Sequence, residues 1–279
     1  MTAFSLLLPV YGGDDPAQLE RAFHSAVEEQ TRRPDEVVVV RDGPVPVDLQ
    51  TVLDALVAAA PVPARVLALS TNVGLADALT AGLTACAHDV VARMDADDVA
   101  LPERFEKQLV LIDEGYELVG SGLYEFVDDE AVTIGVRTPP VGEERIRAYA
   151  RFHDPFNHPT VVYRRDAVAR AGGYVAVGLM EDYWLFARML AAGVRAQNLA
   201  EPLVKYRVGA GAYKRRGGLH QLAAELRLQR LMRRARITSP FEAVRNVVIR
   251  GGYRLVPVAL RRAAYRTLLQ RGFRRGASR

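Results

Sequence analysis

The stretch Asp89-Val90-Val91-Ala92-Arg93-Met94-Asp95-Ala96-Asp97-Asp98 passes from a short, nearly continuous apolar segment into three carboxylates within four residues. Continuous rather than alternating hydrophobicity marks a strand covered on both faces, as in parallel sheets. The pattern recurs upstream. Phe4-Ser5-Leu6-Leu7-Leu8-Pro9-Val10 ends in the turn-rich Gly12-Gly13-Asp14-Asp15-Pro16, Glu36-Val37-Val38-Val39-Val40 closes on Asp42-Gly43-Pro44, and Ala64 to Leu69 forms a further run. Helical spacing separates these runs: Leu19, Ala22, Phe23 and Ala26 with Asp14 or Asp15 as cap, then residues 48–60, then Leu75 to Ala87. Strands alternating with helices predict an α/β chain whose parallel sheet is covered on both sides. Ligands of such sheets lie beyond the carboxyl ends of the strands, where Asp42 and Asp95 to Asp98 fall.

After residue 100 the pattern changes. Leu101 to Glu114 reads as a helix with Pro102 near its first turn, Glu117 to Val127 as a strand, and Glu143 to Arg151 as a helix. Thr160-Val161-Val162-Tyr163 reads as a strand, Gly172-Gly173-Tyr174 as a turn, and Met180 to Ala192 as an amphipathic helix opened by Glu181-Asp182. Beyond Gly217 the chain is basic and mainly helical, with Leu219, Leu222, Ala223, Leu226 and Met232 on one face. The expected organisation is a sheet domain over residues 1–216 and a basic amphipathic helical region over 217–279.

Composition narrows the class. The 279 residues are 49% hydrophobic and 25% charged, as in ordinary globular proteins. Cys86 is the only cysteine, so neither an intrachain disulfide nor a Cys-rich zinc module can form, and a reducing compartment fits. The five histidines never pair at i, i+4, so a helical two-His metal motif is absent. No basic segment precedes an apolar run at the start, and no run is long enough to span a bilayer, so a cytoplasmic location is expected. The net charge of +4 conceals a split. From Lys205 onward stand 20 Lys and Arg against two acids, Glu225 and Glu242, a tail of +18; the remaining 17 basic and 31 acidic residues leave the body at −14. Such a tail is suited to an anionic partner.

Three carboxylates crowded after a strand repel one another unless a cation compensates them, and an all-oxygen donor set suits Mg²⁺ or Mn²⁺. The alternative is a solvated acidic turn in which Asp98 caps the helix after Pro102.

The order of motifs is more specific than any one of them. Pro9-Val10-Tyr11, then Asp42-Gly43, then Asn72-Val73-Gly74-Leu75 with Ala78 and Gly82, lead to Asp95-Ala96-Asp97-Asp98, with Glu181-Asp182 later. This order resembles the family-2 glycosyltransferases of the GT-A type. Asn157-His158-Pro159-Thr160-Val161 and Lys205-Tyr206-Arg207-Val208 are similar to the bacterial amylovoran-type galactosyltransferases. The resemblance covers about residues 4–215. It implies a Rossmann-like, mixed but mainly parallel sheet with helices on both faces, followed by the basic helical extension. One departure is Arg41, where the family often carries a second acid before the Asp-Gly turn.

The resemblance implies roles. Asp42 would accept a hydrogen bond from the uracil of a UDP-sugar; Asp-Gly-Pro is equally a turn signal in its own right. Pro9, Val10 and Tyr11 would cradle the base, with Asn72 and Gly74 in the same nucleotide-sugar site. Asp95 would lie near the ribose, and Asp97 would ligate the metal bridging the diphosphate. Asp182 would be the general base that takes the acceptor hydroxyl's proton, although Glu181 and Asp182 also suit the first turn of a helix. Asn157, His158, Glu181 and Trp184 are candidates for contact with the donor or acceptor sugar, against a bland reading of His158 and Trp184 as core residues. Tyr183 is open in the same way. Arg207, with Lys214, Arg215 and Arg216, either closes over the diphosphate or merely begins the basic tail. Arg93 is expected to be structural, paired with a nearby carboxylate.

The expected activity is metal-dependent, inverting transfer of a hexose, with galactose named by the resemblance, to a glycan or lipid-linked glycan in cell-surface polysaccharide synthesis. A dehydrogenase is disfavoured because no Gly-x-Gly-x-x-Gly opens the first strand-helix unit, and a nucleotidyltransferase because Pro9 to Asp15 lacks Arg or Lys to hold a triphosphate. A non-catalytic nucleotide- or glycan-binding subunit stays open, with Asp182 favouring the enzyme. In the tail, Arg250, Arg254, Arg261, Arg262 and Arg266 interleave with Val247, Val248, Leu255, Val256, Leu260 and Leu268. Basic amphipathic helices of this kind suit the anionic inner face of the cell membrane. No nucleic-acid motif accompanies them, and homo-oligomerisation through the apolar faces stays open.

Overall fold

In a computed structural model, which describes residues 2–209 and 219–252, the N-terminal alternation forms β1 (Phe4–Tyr11), α1 (Pro16–Val27), β2 (Glu36–Asp42), α2 (Val47–Ala59), β3 (Ala64–Ala68), α3 (Leu75–Ala85) and β4 (Val90–Arg93). There follow β5 (Val99–Ala100), α4 (Arg104–Asp113), β6 (Leu118–Phe126), β7 (Gly135–Arg137), α5 (Glu143–Ala150), a 3-10 turn at His158–Thr160, β8 (Val162–Arg164), α6 (Arg165–Arg170), α7 (Glu181–Ala191) and β9 (Ala196–Arg207). The chain then continues in α8 (Leu219–Arg234) and α9 (Pro240–Asn246), which runs into a π-helical turn at Val247–Gly251.

The strands form a mixed sheet ordered β3-β2-β1-β4-β8-β6-β9-β5, with β7 on β6. The pairings β3-β2, β2-β1, β1-β4 and β6-β9 are parallel, whereas β8 sits antiparallel between β4 and β6. Successive residues of the central strands face opposite sides: Leu7, Val38 and Val40 join Leu79, Tyr163 and Phe186 in one apolar cluster, while Leu6, Leu8, Val37 and Val39 join Leu19, Phe23 and Phe105 in the other. Strands buried on both faces contribute roughly 1.5–3 kcal/mol per large side chain, so this region carries much of the stability.

The chain divides into two compact units: Met1–Ala176 with Glu181–Arg207, and Val177–Met180 with the chain from Val208 on. The boundary expected at residues 216/217 falls outside the described residues, as do Lys214, Arg215 and Arg216. In the second unit the buried stripe of α8 is Gln221, Ala224, Glu225, Leu228, Gln229 and Met232, rather than the face expected around Leu222, Ala223 and Leu226. The shift has a polar cause: Gln229 donates to Glu225 (3.0 Å), Asn246 donates to Gln229 (3.1 Å), and Arg250 pairs with Glu225 (3.0 Å). Among the described residues no helix is long and apolar enough to cross a membrane. The tail positions Arg254, Leu255, Val256, Leu260, Arg261, Arg262, Arg266 and Leu268 lie outside the described residues.

Two local differences from the expected elements matter for the site. Thr160 belongs to the 3-10 turn instead of a strand, because its hydroxyl donates to the Asn157 carbonyl (2.8 Å) and accepts from the Ser121 amide (2.9 Å). The helix expected from Leu101 begins at Arg104, because Leu101 is held extended by its amide bond to the Leu203 carbonyl (3.0 Å).

Candidate active site

β1, β2 and β4 run parallel, with Leu7 opposite Arg93 and Tyr11 opposite Asp42, so their carboxyl ends bring Pro9-Val10-Tyr11, Asp42 and Asp95 to Asp98 to one rim of the sheet. Asp42 is buried. Its carboxylate accepts from the amides of Val73 (2.7 Å) and Gly74 (3.0 Å), and the Asn72 side chain donates to its carbonyl (3.3 Å). Gly74 has φ +87°, a conformation that a residue with a Cβ rarely adopts, and this turns its amide onto Asp42 at the start of α3. Asp42, Asn72 and Gly74 are thereby one structural unit. Arg41, in the place of the second acid, donates to Gln50 of α2 (2.6 Å).

In the loop after β1, Asp15 caps α1 through the amides of Ala17 and Gln18 (both 3.0 Å). Asp14 instead accepts from the Tyr11 amide (2.9 Å), and burial, with smaller contributions from Asp97 and Asp95, pushes its pKa up to about 7. Asp14 was legible only as a possible cap. Its neighbourhood to the acidic cluster comes from the fold.

The cluster itself is compact: ligand atoms of Asp95, Asp97 and Asp98 lie within 4.8 Å of one another. The buried Arg93 donates to Asp95 (2.7 Å), the carboxylate pairing expected of it. Burial, followed by the charge of Asp95, lifts Asp97 to about 6, and burial with Asp95 and Asp97 holds Asp98 well above the usual carboxylate range. Asp98 is no helix cap. It is fully buried, β5 separates it from α4, and α4 is preceded by Glu103 with no side-chain cap. One Asp98 oxygen accepts from the Arg207 amide (2.9 Å) and the other is buried without a hydrogen-bond partner. Among the described residues, an orphaned buried carboxylate oxygen beside two further carboxylates is what a divalent, oxygen-preferring cation would relieve, so the donor set fits Mg²⁺ or Mn²⁺.

Arg207 closes the cluster from β9. Its guanidinium donates to the carbonyls of Asp97 (3.1 Å), Val127 (3.0 Å) and Asp128 (3.3 Å) and lies 4.5 Å from the Phe126 ring centroid. Arg104, unread in the sequence, is buried beneath the motif and donates to the Arg93 carbonyl (2.6 Å); burial and then Arg93 lower its pKa to about 9. Nothing local marks it out, since an Arg in the first turn of a helix normally faces water.

Asp182, in the first turn of α7 and 28% exposed, also feels the charge of Arg93. Burial, then the neighbouring Glu181, raises its pKa to about 6, while its carboxylate accepts from the Tyr183 amide (2.7 Å). His158 approaches it, with Nδ1 4.0 Å from Oδ2. The imidazole is buried, and desolvation followed by the charge of Arg93 holds its pKa well below the ordinary value, so it is neutral. Its Nε2 bonds the Tyr174 hydroxyl (2.9 Å), which meets the Tyr163 hydroxyl (3.3 Å). Asn157 donates to the Ser121 carbonyl (2.8 Å) and so ties this turn to β6. Glu181 and Trp184 are buried, and the Trp184 ring carries the Arg188 guanidinium 5.0 Å from its centroid. Tyr183 donates to the Ala150 carbonyl (2.9 Å).

Comparison with known proteins identifies the family and the fold. Residues 5–172 match the family described as Glycosyl transferase family 2. The amylovoran biosynthesis glycosyltransferase AmsE of Erwinia amylovora is 38% identical over 262 residues, covering 94% of this chain and 97% of that protein. The Escherichia coli UDP-Gal:alpha-D-GlcNAc-diphosphoundecaprenol beta-1,3-galactosyltransferase is 32% identical over 270 residues, covering 96% of this chain and 97% of that one. Among solved structures, the mannosyltransferase PcManGT of Pyrobaculum calidifontis, in complex with GDP-Man and Mn²⁺, superposes with a TM-score of 0.64 at 18% identity, over 99% of this chain and 80% of that one. The sheet with its acid-bearing rim is the GT-A fold, and the chain is a glycosyltransferase belonging to glycosyl transferase family 2.

Proposed function

We propose that this glycosyltransferase moves a hexose, galactose first among the candidates, from a UDP-sugar to a lipid-linked glycan in cell-surface polysaccharide synthesis, with inversion at the anomeric carbon. The observation that carries the reading is the reach of one buried cation. The charge of Arg93 acts on Asp95, Asp97 and Asp98 and also on Asp182 and His158, which supports a single site with a donor side and an acceptor side. The donor and acceptor are suggested by relatives whose names specify amylovoran biosynthesis, and UDP-Gal with a diphosphoundecaprenol-linked sugar.

In this reading Pro9, Val10 and Tyr11 with the Asp42–Asn72–Gly74 unit receive the uracil, and Asp95 receives the ribose. Asp97 and Asp98 hold Mg²⁺ or Mn²⁺, which when bound neutralises charge on the leaving diphosphate. Arg207 braces that edge and adds positive charge beside it. Asp182 accepts the proton of the acceptor hydroxyl as its oxygen bonds to the anomeric carbon and the bond from that carbon to the diphosphate oxygen breaks, releasing UDP. A single displacement of this kind inverts the anomeric configuration. Asn157, His158, Glu181 and Trp184 shape the sugar side around Asp182. The basic tail keeps the enzyme at the anionic inner leaflet, where a lipid-linked acceptor resides.

The test is a thermal-shift panel of UDP- and GDP-sugars with and without Mn²⁺, followed by transfer to an isoprenoid-diphosphate-linked sugar. Stabilisation by a UDP-hexose that needs the metal, with transfer to the β-anomer from an α-donor, is expected. Binding without transfer or donor hydrolysis would instead indicate a non-catalytic subunit, and retention of configuration would remove Asp182 from its role.

A further inference from the structure

One helix of the second unit carries its large apolar side chains on the wrong side for a helix in water. In α9 and its π-helical extension, Phe241, Val244, Val248 and Ile249 are 78%, 64%, 67% and 56% exposed. Phe241, Val244 and Val248 stand at i, i+3 and i+7, so they form one stripe with Ile249 beside it. The inner face of the same helix is small or polar: Ala243, Asn246 and Gly251 are buried, and Asn246 donates to Gln229 of α8. This orientation is held from both ends. Ser239 and Glu242 form a reciprocal capping box (2.7 and 3.3 Å), and Arg250 pairs with the buried Glu225 (3.0 Å).

Those contacts also settle the charge of the outer surface. The only two acids in the described part of this unit are the ones just named, one in the cap and one buried, whereas Arg227, Arg230, Arg233, Arg234, Arg236 and Arg245 are exposed. An apolar stripe in a unit whose fully exposed charged side chains, among the described residues, are all arginines matches a layer that is anionic outside and hydrocarbon inside. The same face of a second copy would bring like charges together. A nucleic acid would leave Val244, Val248 and Ile249 without a function.

We propose that the Phe241–Val244–Val248–Ile249 face inserts into the interfacial layer of an anionic phospholipid bilayer, with the arginines at headgroup level. The inference deepens the peripheral-membrane reading of the tail and rests on it. Insertion, unlike attraction of a charged tail, places particular side chains below the headgroups.

The experiment uses the full chain with vesicles of phosphatidylcholine alone or mixed with phosphatidylglycerol. The sequence has one tryptophan, Trp184, which is buried, so Phe241→Trp adds a readable indole at an exposed position. Expected are co-sedimentation with the anionic vesicles, a blue shift of the added indole, and its quenching by brominated acyl chains. Val248→Asp should weaken vesicle binding roughly tenfold or more at an unchanged melting midpoint, the order expected when a buried valine is lost. Binding with no quenching, and no effect of Val248→Asp, would overturn insertion while leaving the charged tail as the anchor. Absence of binding to anionic vesicles would overturn both. Self-association abolished by Val248→Asp, without vesicle binding, would assign the face to a second copy and also overturn the proposal.

Discussion

Transfer should switch on along a limb centred near pH 6 when the assay is taken from about pH 5 to about pH 8. Burial, with Glu181 next in weight, raises Asp182 from 3.8 to about 6, and only the ionised carboxylate can accept the acceptor's proton. The rate at saturating substrate should therefore be about a tenth of its plateau near pH 5 and about nine-tenths near pH 7. Removing the like charge with Glu181→Gln should move the limb to lower pH, by less than about one unit, because desolvation is the larger cause and remains. The same shift has a consequence for stability whose sign can be worked out. Asp182 binds its proton more tightly folded than unfolded, so stability falls as pH rises from about 4 to about 6, and the full cost persists above that. Asp182→Asn keeps an acceptor for the Tyr183 amide and removes the charge. At pH ~7 it should gain stability, at most about 3 kcal/mol for a two-unit shift and nearer 1–2 given the carboxylate's 28% exposure, while losing roughly 10²-fold or more in rate. Below about pH 4 the two proteins should be equally stable. Radiolabelled-sugar transfer across pH and thermal melts at matched pH are the assays. A limb near pH 4, a limb surviving in Asp182→Asn, or an equal stability difference at low and high pH would refute the reasoning.

Asp97→Asn should abolish the Mn²⁺-dependent rise in melting midpoint at pH ~7.5 and leave the sheet intact by circular dichroism, since the cluster loses a ligand but no packing. Arg207→Ala removes three hydrogen bonds to carbonyls and the contact with Phe126, so denaturant melts should show a loss of about 2–4 kcal/mol together with reduced transfer. Lys at that position should restore little, because one ammonium cannot reproduce the fork. Gly82→Ala tests the α3 packing: a Cβ there would stand 2.7 Å from Val40 Cγ2 and closer still to Leu7, so a cost of about 1–3 kcal/mol in urea melts is expected.

The parts of this molecule that could be read from its sequence are those whose environment is written locally. Val37 to Val40 announce a strand buried on both faces, Asp42 ends that strand, and Asp95 to Asp98 come just after theirs. β9 was not read from the sequence, because Ala200-Glu201-Pro202 interrupts its pattern, and β6 accommodates the interruption through register shifts around Gly122. Asp98 was open to reading as a cap because its decisive partner, the Arg207 amide, is 109 residues away. Arg104 was unreadable for the same kind of reason, its burial depending on the Arg93 carbonyl above it. In α8, Gln221, Glu225 and Gln229 sit at spacings of four, yet polar residues in a stripe ordinarily mark the solvent side. Only the Asn246 and Arg250 contacts turn that face inward.

The balance of charge within the rim favours the proposed cation at the Asp97–Asp98 end of the cluster over the Asp95 end. Arg93 is buried and makes its direct ion pair with Asp95, so the positive charge supplied by the fold is committed at that residue. Arg104 lies beneath, but its guanidinium is spent on the Arg93 carbonyl, Gln108 and the Met94 sulfur. Among the described residues, Asp97 and Asp98 receive no comparable side-chain partner. The Arg207 guanidinium reaches the Asp97 carbonyl, not its carboxylate, and Asp98 gets one backbone amide. Burial, and then the neighbouring carboxylates, raise their proton affinities. A third fixed guanidinium there would remove the deficit of positive charge permanently and leave nothing for a diphosphate to bind. A deficit filled by an exchangeable divalent ion would let charge arrive with the substrate and leave with the product, as suits a transferase that releases its nucleotide each cycle.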